Sequence, residues 1–189
     1  MKQDSEKSSQ KGGEKNRKKS SEVIRWEYKT FDTLSATSLF ELYRLRQQVF
    51  VIEQQCIYED IDARDKTALH VLGWSDGAGE RSATSLDDQS TLCTTLRAYL
   101  RIMGLQNNAQ TVSIGRVVIA IQSRKTGIGT QLMRIALGYI ENIAPQATIT
   151  LSAQHHLTGF YQTLGFVLAS APYDEDGIPH VRMAKTPAF

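Results

Sequence analysis

The sequence lacks the features that mark a secreted, membrane-spanning or metal-binding protein. Cys56 and Cys93 are its two cysteines, and neither has the spacing of a disulfide framework or a metal site, so both are expected to be reduced thiols. No apolar run approaches the roughly 20 residues that a bilayer requires, and no segment resembles a signal peptide. The adjacent His155 and His156 cannot share a helical face, which argues against a metal pair. We therefore expect a cytoplasmic protein without a membrane partner or a bound metal.

Excess positive charge is also lacking once the first 22 residues are set aside. Residues 1–22 hold seven Lys or Arg and four Asp or Glu, which leaves 15 basic against 16 acidic residues in the remainder. Such a body gives no support for nucleic-acid binding. Residues 1–22 have no aromatic or β-branched side chain, so they are predicted to be a disordered basic tail. The length favours one domain, which we place at residues 23–189.

Hydrophobic periodicity predicts interleaved strands and helices. Strands are predicted at 23–31, 68–74, 96–103, 111–121, 147–153, 166–173 and 180–185, and helices at 36–50, 127–143 and 155–164. Ser35 is the predicted cap of the first helix. Residues 75–95, rich in Ser, Thr, Asp and Gly, are predicted to be a long flexible loop. The strand, helix and strand between 111 and 153 form a crossover, which makes those two strands parallel. The predicted class is α/β, or mixed α+β.

A glycine-containing turn precedes the longest predicted helix, in the stretch "SRKTGIGTQL" at 123–132. The first N–H groups of a helix have no intrahelical acceptor, and the helix dipole makes this end positive. Gly127 and Gly129 leave those N–H groups accessible, while Arg124 and Lys125 add charge, which suits a pyrophosphate. A turn that only changes the direction of the chain explains the same residues. Both interpretations stay open on this stretch alone.

Two motifs in order resemble a known family. The pattern Q/R-x-x-G-x-G/A is matched by Arg124, Gly127 and Gly129, and the pattern F-Y-x-x-x-G-F by Phe160, Tyr161, Gly165 and Phe166. With "LYRLRQQVFVIEQQCIYEDID" and "DEDGIPHVRM", they resemble the GNAT superfamily of N-acetyltransferases, and its ElaA-type branch most, over roughly residues 24–186. The resemblance implies a mixed, mostly antiparallel, splayed sheet flanked by helices, with acetyl-CoA as the co-substrate.

The resemblance also implies a set of acetyl-CoA contacts. Backbone groups of Val118 and Ile119 would pair with the pantetheine arm, amides of residues 124–130 would hold the pyrophosphate, and Tyr161 would face the sulfur. The implied cofactor-binding residues are Val117, Val118, Ile119, Arg124, Lys125, Thr126, Gly127, Ile128, Gly129, Thr130, Gln154 and Tyr161. Many relatives have Asn where this chain has Gln154, so that contact departs from the family pattern.

The chemistry of amine acetylation requires a base and a proton donor. An alkylammonium of pKa about 10.4 is neutral at only about one part in 10³ near neutral pH, a cost of roughly 4 kcal/mol. The predicted catalytic residues are Tyr161 as the proton donor, with Glu53 and His180 as candidate bases. The predicted substrate-binding residues are Glu53, Tyr58, Asp60, Asp62 and His70. A solvated acidic loop is the alternative for the carboxylates, and core packing is the alternative for Tyr161.

The sequence thus predicts an acetyl-CoA-dependent N-acetyltransferase that transfers the acetyl group to a small primary amine in a ternary complex. Transfer through an acetylated Cys56 is an alternative mechanism that requires one more covalent intermediate than direct transfer. Polyamine or protein amines are alternative acceptors, and the alternative functions are a CoA-binding module without turnover and a scaffold whose glycine turn is structural. The strand at 180–185 is predicted to be exposed and able to pair with a second copy in a homodimer.

Overall fold

The computed structural model describes residues 23–76 and 94–187. Its elements follow the chain as β1 (Ile24–Thr30), α1 (Ala36–Arg46), β2 (Leu69–Asp76), β3 (Thr94–Met103), β4 (Thr111–Ile119), α2 (Ile128–Ile143), β5 (Thr148–Gln154), α3 (Thr158–Gln162), β6 (Val167–Leu168), β7 (Tyr173–Glu175) and β8 (Ile178–Lys185). The predicted tail at 1–22 and residues 77–93 of the predicted flexible loop, which include Cys93, lie outside the described residues. No helix in the described ranges is long and apolar enough to cross a membrane.

The strands form one mixed sheet in the order β1, β2, β3, β4, β5, β8, β6, with β7 also paired to β8. β4 and β5 are parallel and every other pairing is antiparallel. The predicted crossover through α2 is therefore confirmed, as is the predicted fold class. The β-branched strand β4 lies at the middle of the sheet and contacts both α1 and α2.

The two long helices cover opposite faces of the sheet. Because side chains alternate along a strand, Leu72 and Tyr99 pack with the α1 side of the core, while their neighbours Val71 and Leu100 pack with the α2 side. The inward residues of α2, including Leu132, are fully buried. Each such apolar side chain contributes roughly 1.5–3 kcal/mol. These two clusters attach α1 and α2 to opposite faces of the sheet.

β4 and β5 separate after three residue pairs. Their pairing covers only Thr111–Ser113 with Thr148–Thr150, although β4 continues to Ile119 and β5 to Gln154. β4 also has a bulge, since its register with β3 shifts between Tyr99 and Arg101 and Arg116 has a φ of 53°. Bulges increase the local bend of a strand. The sheet therefore opens into a V-shaped cleft at its centre.

The first helix begins as predicted but changes geometry before it ends. The side chain of Ser35 accepts a hydrogen bond from the Ser38 N–H at 3.0 Å and caps α1. The α-helix ends at Arg46 and continues as a π-helical segment, Gln47–Glu53. Gln54 N–H accordingly donates to the carbonyl of Val49, five residues earlier. Such wider turns occur frequently at functional sites.

Two predicted strand boundaries and one predicted exposure require correction. The strands adjoining the predicted 75–95 loop are longer than expected, because Ser75 and Asp76 pair with Thr95 and Thr94. The single strand predicted at 166–173 is two short strands, β6 and β7. The predicted exposure of 180–185 is wrong, because β8 pairs with β5 along one side and with β6 and β7 along the other. Its hydrogen-bonding groups are thus already used within the chain.

Candidate active site

A cavity of about 260 Å³ lies in the cleft between the separated ends of β4 and β5. β4 contributes Gly115, Arg116 and Val117 to its wall, and β5 contributes Ser152 and Gln154. The other lining residues that matter for the chemistry are Cys56, Tyr58, Arg64, Arg101, Tyr161, Glu175, Asp176 and His180. Of the predicted catalytic residues, the structure therefore brings together Tyr161 and His180.

Tyr161 presents a protonated phenol to this cavity. It lies on α3, is only 5% exposed, and its ring packs against Phe160 and Phe166 at centroid distances of 5.0 and 6.0 Å. Among the described residues its hydroxyl has no hydrogen-bond partner. Burial raises the pKa of Tyr161 to about 12, so the phenol keeps its proton at neutral pH. It is therefore free to donate that proton or a hydrogen bond to a bound molecule.

His180 lines the same cavity. Its Nδ1 lies 2.8 Å from the carbonyl oxygen of Ile178, and a carbonyl oxygen only accepts, so Nδ1 carries the proton. In the neutral tautomer with this hydrogen bond, the lone pair is on Nε2. Tyr173 packs beside the ring at 6.3 Å, and the β5–β8 ladder places His180 opposite Gln154. The side chain is thus oriented as a proton acceptor.

The glycine turn before α2 presents a run of unpaired amides. Among the described residues, the N–H groups of residues 125–130 donate to no backbone or side-chain acceptor. Lys125 and Gly127 have φ values of 60° and 90°, an alternation that forms an anion-binding concavity. The Thr126 hydroxyl donates to the Ser123 carbonyl at 2.7 Å, which fixes the turn. The residues predicted from the motif thus form a positively polarised helix entrance.

The strand residues predicted beside this turn have distinct surroundings. Val117 lines the cavity, while the Val118 side chain is buried on the α1 side of the sheet. The carbonyl of Ile119 accepts a hydrogen bond from Arg124 Nε at 3.2 Å. The side-chain amide of Gln154 donates to Gln54 Oε1 at 3.1 Å and so links β5 to the segment after α1.

Glu53 is placed away from the cavity lining and is paired with Arg124. Two guanidinium nitrogens of Arg124 lie 2.6 and 2.8 Å from the two carboxylate oxygens of Glu53. These hydrogen bonds lower the pKa of Glu53. A carboxylate that is engaged in this way is a weak base. The structure therefore associates Glu53 with the anion-binding turn rather than with the phenol and imidazole.

The predicted acidic segment is neutralised by buried arginines. Asp65 Oδ1 accepts from Arg46 at 2.9 Å and from Arg101 at 2.7 Å. Asp60 Oδ2 accepts from Arg46 Nε at 2.9 Å, and Asp62 accepts from Arg101 at 2.7 and 2.8 Å. Arg101 lowers the pKa of Asp62. Asp60 and Asp62 therefore serve the packing of this segment and do not line the cavity.

The other two predicted substrate residues differ in placement. Tyr58 lines the cavity, donates to Asp60 Oδ1 at 3.0 Å, and lies beneath the guanidinium of Arg116 at 5.1 Å. His70 is fully buried, with its ring nitrogens 2.8 Å from Tyr99 Oη and 2.9 Å from the Asp65 carbonyl. Only Tyr58 is therefore placed to contact a molecule in the cavity.

The comparisons with known proteins agree with this arrangement. Residues 76–187 match the family described as "Acetyltransferase (GNAT) domain". The protein ElaA of Escherichia coli (strain K12) is 37% identical over 165 residues, which are 86% of this chain and 97% of that protein. The chain belongs to the GNAT acetyltransferase family. Crystal structures of related acyltransferases have the same fold.

Three crystal structures have the fold of this chain. That of Escherichia coli ElaA is 36% identical with a TM-score of 0.71, covering 86% of this chain and 99% of that one. An acyl-CoA N-acyltransferase from Pseudomonas aeruginosa is 34% identical with a TM-score of 0.72, covering 87% and 100%. An acetyltransferase of Bacillus subtilis, solved with CoA, is 18% identical with a TM-score of 0.53, covering 88% and 100%, and shows the shared fold.

Sequence reasoning missed several residues of the cavity wall. Glu175 and Asp176 belong to the β7–β8 hairpin, whose turn has positive φ values at Asp176 and Gly177. The "DG" pair was the available signal, because it marks a tight hairpin turn. Arg101 and Arg116 lie in apolar strands, where a cation requires a partner. Their presence was the signal that carboxylates of the acidic segment would be paired rather than free.

Burial of His70 predicts a stability that decreases in mild acid. Burial lowers the pKa of His70, so the folded protein holds this ring neutral while the unfolded chain protonates it near pH 6.5. The unfolded state then binds more protons, and the free energy of unfolding falls as the pH drops from 7 to 5.5. Urea denaturation at the two pH values measures the change. If the free energy of unfolding of His70→Gln fell by the same amount between these pH values, His70 would not be the cause. His156→Gln is the control, because His156 is exposed and its loss should leave the wild-type pH dependence unchanged.

Proposed function

We propose that this GNAT chain is an acetyl-CoA-dependent N-acetyltransferase that acetylates a small primary amine by direct attack in a ternary complex. One observation carries this proposal. Tyr161 and His180 line the same cavity, and the N–H groups of residues 125–130 are unpaired at the start of α2, which follows β4 in the chain. Backbone amides at a helix entrance suit a pyrophosphate, and the opened end of β4 suits an extended pantetheine arm.

The proposed reaction uses the two ring side chains in separate roles. The amine nitrogen forms a bond to the acetyl carbon as the carbon–sulfur bond breaks, and the CoA sulfur leaves with the electron pair. His180 Nε2 accepts the proton released from the nitrogen, and the Tyr161 hydroxyl donates a proton to the sulfur. General acid and base groups of this kind contribute typically ~10²–10⁴ in rate each.

The direct route is favoured over an acetylated cysteine. Cys56 is buried, and burial, followed by the charge of Asp176, raises the pKa of its thiol. The thiolate is the nucleophilic form of cysteine, so a thiol held in its protonated form reacts poorly. Attack by the amine on acetyl-CoA needs no such intermediate.

Glutamate at position 129 should weaken the binding of acetyl-CoA by at least about tenfold. Gly129→Glu introduces a carboxylate among amides that are proposed to hold the pyrophosphate, so charge repulsion and steric overlap both oppose binding. Isothermal titration with acetyl-CoA measures the dissociation constant. Gly129→Ala is the matched control, because an added Cβ meets only ordinary contacts, at 3.7 Å from Ile119 and 3.9 Å from Phe160. Equal affinity in the glutamate variant would contradict the proposed pyrophosphate site.

A further inference from the structure

The two walls of the cavity carry charges of opposite sign. Arg64 and Arg116 line it from the segment between α1 and β2 and from β4. Glu175 and Asp176 line it from the turn between β7 and β8. A molecule in the cavity therefore meets arginines on one side and carboxylates on the other.

The negative wall is limited to the β7–β8 turn. Among the described residues, Glu175 and Asp176 are the only carboxylates that line the cavity. Glu175 Oε2 accepts from Ser152 Oγ at 2.9 Å, and that hydroxyl lies 2.6 Å from Tyr173 Oη. Neither carboxylate has a cationic partner within the described ranges. Both are therefore available to a cation in the cavity.

The positive wall retains charge that no carboxylate in the described ranges neutralises. Arg64 is exposed and forms no ion pair with any described residue. Arg101, which is 1% exposed and lines the same wall, has an Nε that donates to no acceptor. Three carboxylates, Asp60, Asp62 and Asp65, are matched by three arginines, so Arg64 is in excess of that balance. An anionic group is the chemistry that this wall would stabilise.

An independent observation places the reaction beside these walls. Tyr161 is 95% buried, since only 5% of it is exposed, and it has no hydrogen-bond partner among the described residues, yet it lines the same cavity. The hydroxyl is therefore available to hydrogen-bond with a molecule bound in the cavity. An acceptor held between the two charged walls therefore lies in the same cavity as the proposed proton donor.

We infer that the acceptor is a compact zwitterion, a primary amine that also carries a carboxylate or a similar anionic group. Glu175 and Asp176 hold its ammonium next to His180 and Tyr161, and Arg64 holds its anionic group. A polyamine is a poor fit, because its second cation would meet Arg64 and because the carboxylates of residues 60–65 are already paired. This inference rests on the proposed function and specifies its acceptor.

The test compares matched acceptors in the full chain. Amino acids with two to six carbons between the amine and the carboxylate, and the α-amino acids, are compared with alkylamines and diamines of the same length in a thiol-release assay with acetyl-CoA. The best amino acid should exceed its matched alkylamine and diamine by about tenfold or more in kcat/KM. A preference for diamines or alkylamines would overturn the inference.

Substitution of Arg64 links that preference to the positive wall. Arg64→Gln should reduce the ratio of kcat/KM between the amino acid and its alkylamine to near one, and Arg64→Glu should favour the diamine. Arg134→Gln is the matched control, because Arg134 is an exposed arginine on α2 outside the cavity lining. An unchanged ratio in both Arg64 variants would overturn the role of Arg64.

Binding and turnover are measured separately so that the two proposals can fail independently. Isothermal titration of the same acceptors into the protein with CoA present measures acceptor preference without chemistry. Preferred binding of the zwitterion without any thiol release would contradict the proposed transferase function alone. Thiol release with the diamine preferred in both assays would contradict the zwitterionic acceptor alone.

Discussion

Replacing Tyr161 with phenylalanine is expected to lower kcat by about 10²-fold or more while the protein stays folded. The substitution removes only the hydroxyl, and the ring contacts with Phe160 and Phe166 are kept. Because the high pKa of Tyr161 keeps the phenol protonated, its loss removes a donor at the point where CoA is proposed to leave. Steady-state thiol release measures kcat.

Two controls separate chemistry from folding in this experiment. Tyr139→Phe makes the same change at a tyrosine that stacks on Tyr28 and lies outside the cavity lining, so its kcat should equal that of the wild type. Thermal unfolding of Tyr161→Phe should match the wild type closely, because the hydroxyl has no partner among the described residues. Wild-type kcat in Tyr161→Phe would exclude the hydroxyl as the proton donor.

Replacing Asp65 with alanine is expected to destabilise the fold by about 3–5 kcal/mol. Asp65 is 1% exposed and pairs with Arg46 and Arg101, which are also nearly fully buried. The substitution leaves Arg46 with Asp60 and Arg101 with Asp62 as their remaining partners. The buried cations lose their shared carboxylate, so positive charge is left in excess in the interior, which is the costly state. Urea denaturation measures the free energy of unfolding.

Glu59 provides the matched control in the same segment. Glu59→Ala removes an exposed carboxylate that forms no ion pair with the described residues, so its effect should lie within about 0.5 kcal/mol. If Asp65→Ala changed the free energy of unfolding by no more than Glu59→Ala does, the arginines would have found other partners. The ion-pair network would then not hold the segment.

The fold was largely predictable because its signals are local. Alternation predicts the strands, and the crossover rule predicts that β4 and β5 are parallel. Ser35 marks the start of α1, and Gly127, with its φ of 90°, marks the start of α2. The pairing of β8 on both sides was not predictable, because sequence does not specify which strands become neighbours.

The site was predictable only where a motif contains it. Gly127, Gly129 and Tyr161 lie in motifs, and His180 lies in a segment that resembles the family. The roles of Asp60, Asp62 and Glu53 depend on arginines that are distant in the sequence, such as Arg124, which lies 71 residues from Glu53. A carboxylate that is free and a carboxylate that is paired have the same sequence signal, and only the folded structure separates them.

The most direct test of the proposed function is an assay of the wild-type protein with acetyl-CoA and a panel of amines. Thiol release and the acylated product are measured in the same reactions. Acetyl transfer in a ternary complex predicts that free CoA and N-acetylated amine form in equal amounts, and that neither forms without the amine above slow hydrolysis. Tight binding of acetyl-CoA with no acetylated amine across the panel would contradict it.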